Sequence, residues 1–112
     1  MTVSVTRSGS QSATINTEHT LATITTAGVY QLAVDLNNMA SGSTPDILEL
    51  RVYGKARSSD TERLIACSSF IGSQSGQVLF QDIARISPHY FKVTLKQTQG
   101  TGRAYPWAVY SI

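Results

Sequence analysis

Apolar side chains recur at every second position through most of this chain, the pattern of strands that bury one face. The clearest run is 47–57, where Leu48, Leu50 and Val52 share one face, continued by Gly54 and Ala56. Glu49, Arg51, Lys55 and Arg57 occupy the other face. Gly54 marks a bulge or a close backbone approach. After a turn at Ser58–Glu62, Arg63 to Phe70 returns as the partner strand. Upstream, Thr20 to Ile24 and Val29 to Leu36 read as a hairpin around Thr25–Gly28, with Tyr30, Leu32, Val34 and Leu36 facing a core. Residues 37–46 form a long loop with room for a short helical turn near Asn38–Ala40. Gln77 to Phe80 is a short strand, and Asp82 to Ser87 leads to Pro88.

The last quarter reads as strand, glycine turn, strand. Phe91, Val93 and Leu95 alternate with Lys92, Thr94 and Lys96, and Gly100 and Gly102 are expected to supply the positive φ of a tight reversal. In the closing strand Tyr105, Trp107 and Val109 point one way, and Ala104, Ala108, Tyr110 and Ile112 the other. A strand apolar on both faces is expected to be covered on both, one cover being the domain's own core and the other a second subunit. Tyr105, Trp107, Val109 and Tyr110 are therefore the interface candidates, because Tyr and Trp join apolar area to a polar tip.

Seven or eight such strands in 112 residues, with no stretch of helical period, predict an all-β fold. An antiparallel β-sandwich fits best, with jelly-roll connectivity one arrangement among several. Residues 18–112 make a single sandwich domain. Residues 1–17, rich in Ser, Thr and Gly, are a flexible arm or an edge strand. The arm is preferred, ordering only on contact with a partner.

Composition narrows the function. Charged residues make up 14% of the chain, low against the roughly 25% of typical domains, and the net charge is only +2. That disfavours nucleic acid as a partner. Arg51, Lys55, Arg57 and Arg63 could share one sheet face, but Tyr53 alone is a thin stacking platform and Glu49 and Glu62 dilute the charge. A single cysteine, Cys67, excludes an internal disulfide and is read as a buried small hydrophobe. No apolar run reaches the roughly 18 residues of a membrane span, and no signal pattern opens the chain, so no membrane partner is expected and folding in a reducing cytoplasm is.

Candidate chemistry is sparse. His19 and His89 lack ligand or triad spacing, so no metal site is expected. The carboxylates Glu18, Asp35, Asp46, Glu49, Asp60, Glu62 and Asp82 fall mostly in loops or on polar strand faces, where solvent keeps them from acid–base work. Gly100-Thr101-Gly102-Arg103 has no helix behind it to bind phosphate and reads as a hairpin loop. No catalytic residues and no cofactor are expected; the chain reads as a non-enzyme.

Three stretches carry a resemblance: Thr26–Leu36, Asp46–Val52, and Thr94–Arg103 with Pro106-Trp107. They resemble small proteins encoded near the head genes of tailed bacteriophages. The resemblance implies a virion component, and head decoration (cement) proteins are of similar size, several being β-sandwich or jelly-roll domains. It further implies a homo-oligomer, dimer or trimer, bound to the major capsid protein on the capsid exterior after assembly in the host cytoplasm. The alternative is a carbohydrate- or receptor-binding module of a phage tail or spike, which calls for Tyr105 and Trp107 in an open groove.

Overall fold

A computed structural model describes residues 2–112. Met1, the first residue of the segment read as an arm, lies outside the described residues. The chain forms β1 (Ser4–Ser12), β2 (Glu18–Ile24), β3 (Gly28–Asp35), β4 (Ile47–Gly54), β5 (Arg63–Ile71), β6 (Leu79–Gln81), β7 (Arg85–Ser87), β8 (Phe91–Gln99) and β9 (Ala104–Ser111). The front sheet runs β1-β9-β3-β6, with β7 also on β3, and the back sheet runs β2-β8-β4-β5. Every pairing is antiparallel. The two sheets pack face to face as a sandwich.

Alternation selects the residues between the sheets. Leu48, Leu50 and Val52 meet Val93, Leu95 and Phe91 from the back, and Tyr30, Leu32, Val34 and Val109 from the front; all are at most 5% exposed. Leu36 and Met39, buried beyond the end of β3, add to the same core. The Tyr30 and Phe91 rings lie 5.3 Å apart across the two layers. At the β5–β6 side, Phe70 meets Phe80 edge to face at 5.1 Å.

Several expectations need correcting. Segment 4–12 is an edge strand on β9 rather than the preferred arm. Its side chains are mostly exposed, so the backbone ladder holds it and hydrophobic patterning gives little sign of it. β2 and β3 are not a hairpin, because β2 pairs with β8 in the back sheet while β3 pairs with β9 in the front. Thr25–Ala27 is an arch between sheets, braced by the Tyr30 hydroxyl donating to the Thr26 carbonyl at 2.7 Å. The β8–β9 connection is likewise an arch and not a hairpin loop. Only Gly100 there has positive φ (92°), whereas Gly102 is small because a Cβ would strike the Ala13 carbonyl. The 37–46 loop makes a β-turn, Met39 N–H to Leu36 carbonyl, where a helical turn was allowed for. β4 and β5 are the hairpin expected, and the bulge sits beside Gly54, with Ile65 skipped between partners Leu64 and Ala66.

Candidate functional site: an apolar sheet face

Register fixes which side chains of the front sheet point away from the core. Val109 opposite Leu32 and Trp107 opposite Val34 face inward, so Tyr110 opposite Gln31 and Ala108 opposite Ala33 face outward. The same parity turns Val5 on β1, Pro106 on β9, Val29 on β3, Leu79 on β6 and Ile86 on β7 outward. Ile86 is 86% exposed and Leu79 53%. Val3 and Ile112 add exposed apolar area at one margin. Among the outward strand residues of this sheet Asp35 alone is ionised, and it caps the Asn37 N–H at 2.9 Å. Two shallow hollows mark the face. One of about 120 Å³ is lined by Val3, Val29, Tyr110 and Ile112; the other, of about 200 Å³, has Ala33 and Ala108 as floor and Leu79 and Pro106 as walls. Tyr110 borders both.

The back sheet's outer face is the opposite in character. Glu18 accepts hydrogen bonds from Thr94 and Tyr53, each at 2.6 Å, and from Arg51 at 3.2 Å. Arg51 also donates to Glu49 at 2.8 Å. Burial pushes the Glu18 carboxyl up, but the Thr94 and Tyr53 hydroxyls and the Arg51 charge outweigh it and hold it below its ordinary value. A second knot joins Glu62 to Tyr90 at 2.7 Å and to Lys92 at 3.0 Å. There the Tyr90 hydrogen bond, with Lys92, lowers Glu62, and the Glu62 carboxylate raises Lys92. Arg57 pairs with Asp60 at 2.9 Å. Of the four cations considered for a basic face, Arg51 and Arg57 are thus ion-paired and Lys55 lies 4.5 Å over the Tyr90 ring. Much of the charge on this face is thus engaged within the chain.

The most buried carboxylate is structural. Asp46 is 1% exposed and accepts from the Ala40 N–H at 2.9 Å, the Thr101 N–H at 3.1 Å and Arg103 Nε at 2.9 Å. Beside it Gln97 donates to the Gln99 and Thr101 carbonyls and accepts from the Arg103 N–H and the Tyr105 hydroxyl. Burial, helped by the Asp46 charge, pushes the Tyr105 phenol up to about 12. Asp46 thus ties the β8–β9 arch to the β3–β4 loop, while Gln97 closes the arch on itself.

The interface candidates separate. Tyr105 and Val109 are 0% exposed within a single chain and offer a partner no surface. Trp107 is half-buried, its ring lying over Gly9 of β1. Tyr110 alone stands on the outer face. Leu79 and Ile86 were missed, because strands of three residues give no period that tells which side of a sheet a side chain takes; Val29, whose alternating strand did place it on the outer side, was not singled out. Cys67 is exposed, contrary to its reading as buried: it sits opposite Arg51 on the outer face, while Ala66, Ser68 and Phe70 take the inward positions. His19 accepts the Thr14 N–H at 3.0 Å, and neither it nor His89 belongs to a metal-ligand cluster among the described residues. Comparison with known proteins finds no matching family model, no matching curated protein and no matching solved structure.

Proposed function

We propose that this protein is a phage capsid decoration (cement) protein that docks the outer face of its front sheet on the major capsid protein of the assembled head. The observation that carries this reading is the contrast between its two faces. One is ion-paired and hydrogen-bonded within itself; the other is almost free of charge and carries exposed Val, Leu, Ile and Tyr. An exposed apolar face of this kind is a recognition surface in most soluble domains. The strand order 1-9-3-6 facing 2-8-4-5 supports reading the sandwich as a jelly roll, an architecture used by viral capsid and lectin domains. Fold alone does not choose between them. The burial of Tyr105, with Trp107 half-buried, counts against the open aromatic groove that sugar binding called for.

The mechanism is buried area without chemistry. Many copies, each binding only the assembled lattice, stabilise that lattice by mass action. Co-sedimentation with heads of the encoding phage tests the proposal. Wild-type protein pellets with heads; Leu79→Glu with Ile86→Glu, both exposed and so neutral for folding, lowers retention at least about tenfold by placing unpaired charge in the contact. Equal retention of the double variant, or no retention of wild type, overturns it.

A further inference from the structure

Five of the nine Lys and Arg residues, Arg51, Arg57, Arg85, Lys92 and Arg103, are ion-paired, which leaves Arg7, Lys55, Arg63 and Lys96 without a pair among the described residues. Arg7 and Lys96 stand apart, on β1 and β8. Lys55 and Arg63 line one cleft of about 400 Å³, together with Gly54, Ile65, Pro88 and Tyr90. The cleft lies between the last pair of the β4–β5 ladder, Gly54 opposite Arg63, and the β7–β8 connection. Opposed residues of a ladder share a face, so Arg63 takes the inward side with Gly54, and it is exposed there. Gly54 has no side chain to fill the space: a Cβ on it would lie 3.5 Å from Ile65 Cδ1 and 3.8 Å from the Tyr90 carbonyl. Ile65 is the bulged residue of β5, and a bulge re-aims its side chain, here onto Gly54. The Lys55 ammonium is held 4.5 Å over the Tyr90 ring, while the Tyr90 hydroxyl donates to Glu62 and Glu62 pairs with Lys92.

We infer that this cleft binds a small organic monocarboxylate, its carboxylate held by Lys55 and Arg63 and its apolar body lying against Ile65 and Pro88. The volume falls within the roughly 300–1,000 Å³ of small-molecule sites, which combine apolar walls with a few convergent polar groups. An Arg fork can take a carboxylate in two parallel hydrogen bonds, and a Lys adds a point charge. The neighbouring carboxylates set the charge of the occupant. Glu62 stands one hydrogen bond behind Tyr90, and Asp60 lines the hollow on the other side of Arg63. Both repel a dianion twice as strongly as a monoanion, which favours a carboxylate over a phosphate. The site is independent of what the front sheet binds and stands or falls without it.

Titration of the ¹⁵N-labelled full chain with N-acetyl-leucine at pH 7, followed through amide chemical shifts, tests it. The expected result is saturable shifts at Gly54, Ile65 and Tyr90 with a dissociation constant of about 1–5 mM, in line with the size of the probe. Acetate has the head without the body, N-acetyl-leucinamide the body without the charge, and inorganic phosphate a second charge without the body. Each is expected to bind at least about fivefold more weakly. Lys55→Gln with Arg63→Gln is expected to raise the dissociation constant for N-acetyl-leucine at least about tenfold at an unchanged melting temperature, and Leu79→Glu to leave it as it is. The arms on the wild-type chain decide the matter without any variant. Absence of shifts at those amides up to about 50 mM, binding of acetate, the amide or phosphate as tight as that of N-acetyl-leucine, or a folded double variant that binds as the wild type does overturns the assignment.

Discussion

Asp46 shows how one side chain can hold an arch that no ladder reaches. The β8–β9 connection leaves one sheet for the other, so the Thr101 and Arg103 N–H groups have no strand opposite them and donate to Asp46 and Gln97 instead. The approach is close enough that a Cβ on Gly100 would overlap Asp46, and φ at Gly100 is 92°. Gly100→Ala therefore meets two penalties, a left-handed backbone and a collision, and is expected to cost about 2–4 kcal/mol in urea unfolding. Gly76→Ala, where an added Cβ meets nothing within 4 Å, is expected to change stability by less than about 0.5 kcal/mol. Equal effects at the two positions would remove the role assigned to the arch. At this scale the sequence was partly readable. The need for glycine at 100 was legible from the turn, but the reason at 102 was not, since Ala13 lies far off in the chain.

At the scale of elements, strands are legible where one face is core and the other water. β4 and β8 announce themselves, as do the inward positions of β3. β1 and β7 do not, because β1 buries almost no side chain and β7 is too short for any period. Their stability is correspondingly different. β1 rests on a one-sided ladder to β9, whereas β8 is paired on both sides and packed by Phe91, Val93 and Leu95. Hydrogen exchange is expected to show it: amides of β1 exchange at least about 100-fold faster than those of β8, opening locally rather than with the whole domain. Comparable protection in the two strands would mean that β1 is part of the cooperative core. The arches belong to this scale too. A short polar segment between two alternating runs fits a hairpin and an arch equally well, and only the partners of each strand separate them.

For the molecule as a whole, extents of 44 × 31 × 19 Å describe a slab two sheets thick, with broad faces of unlike chemistry. That asymmetry suits a component that lies against a larger surface. Its charge network also sets how stability varies with pH. Glu18, Asp46 and Glu62 have folded values held below their ordinary range, so their contribution is complete above that range and is lost as pH falls through the lowered values. Tyr105, raised to about 12, and Lys92, also raised, act in the opposite sense, their contribution complete below their unfolded values near 10 and lost as pH rises past them. Urea midpoints are expected to hold level from about pH 5 to 9 and to fall on both sides. Tyr105→Phe is expected to remove part of the alkaline fall and leave the acid limb in place. A midpoint still climbing between pH 7 and 11 would contradict these assignments.

The order of apolar and polar residues by itself determined the class of this protein: period-2 runs separated by turn residues can bury their apolar sides only by forming sheets and packing them together. It also determined most of the core, since inward positions follow from parity along a strand. Which strands pair, which connections arch between layers, and whether an apolar residue such as Val109 or Ile86 ends inside or outside were decided only by the tertiary structure. The physical reason is that alternation records that a side chain lies on one face or the other, while the identity of that face depends on backbone hydrogen bonds to segments distant in the chain, and these leave almost no mark on the local order of residues.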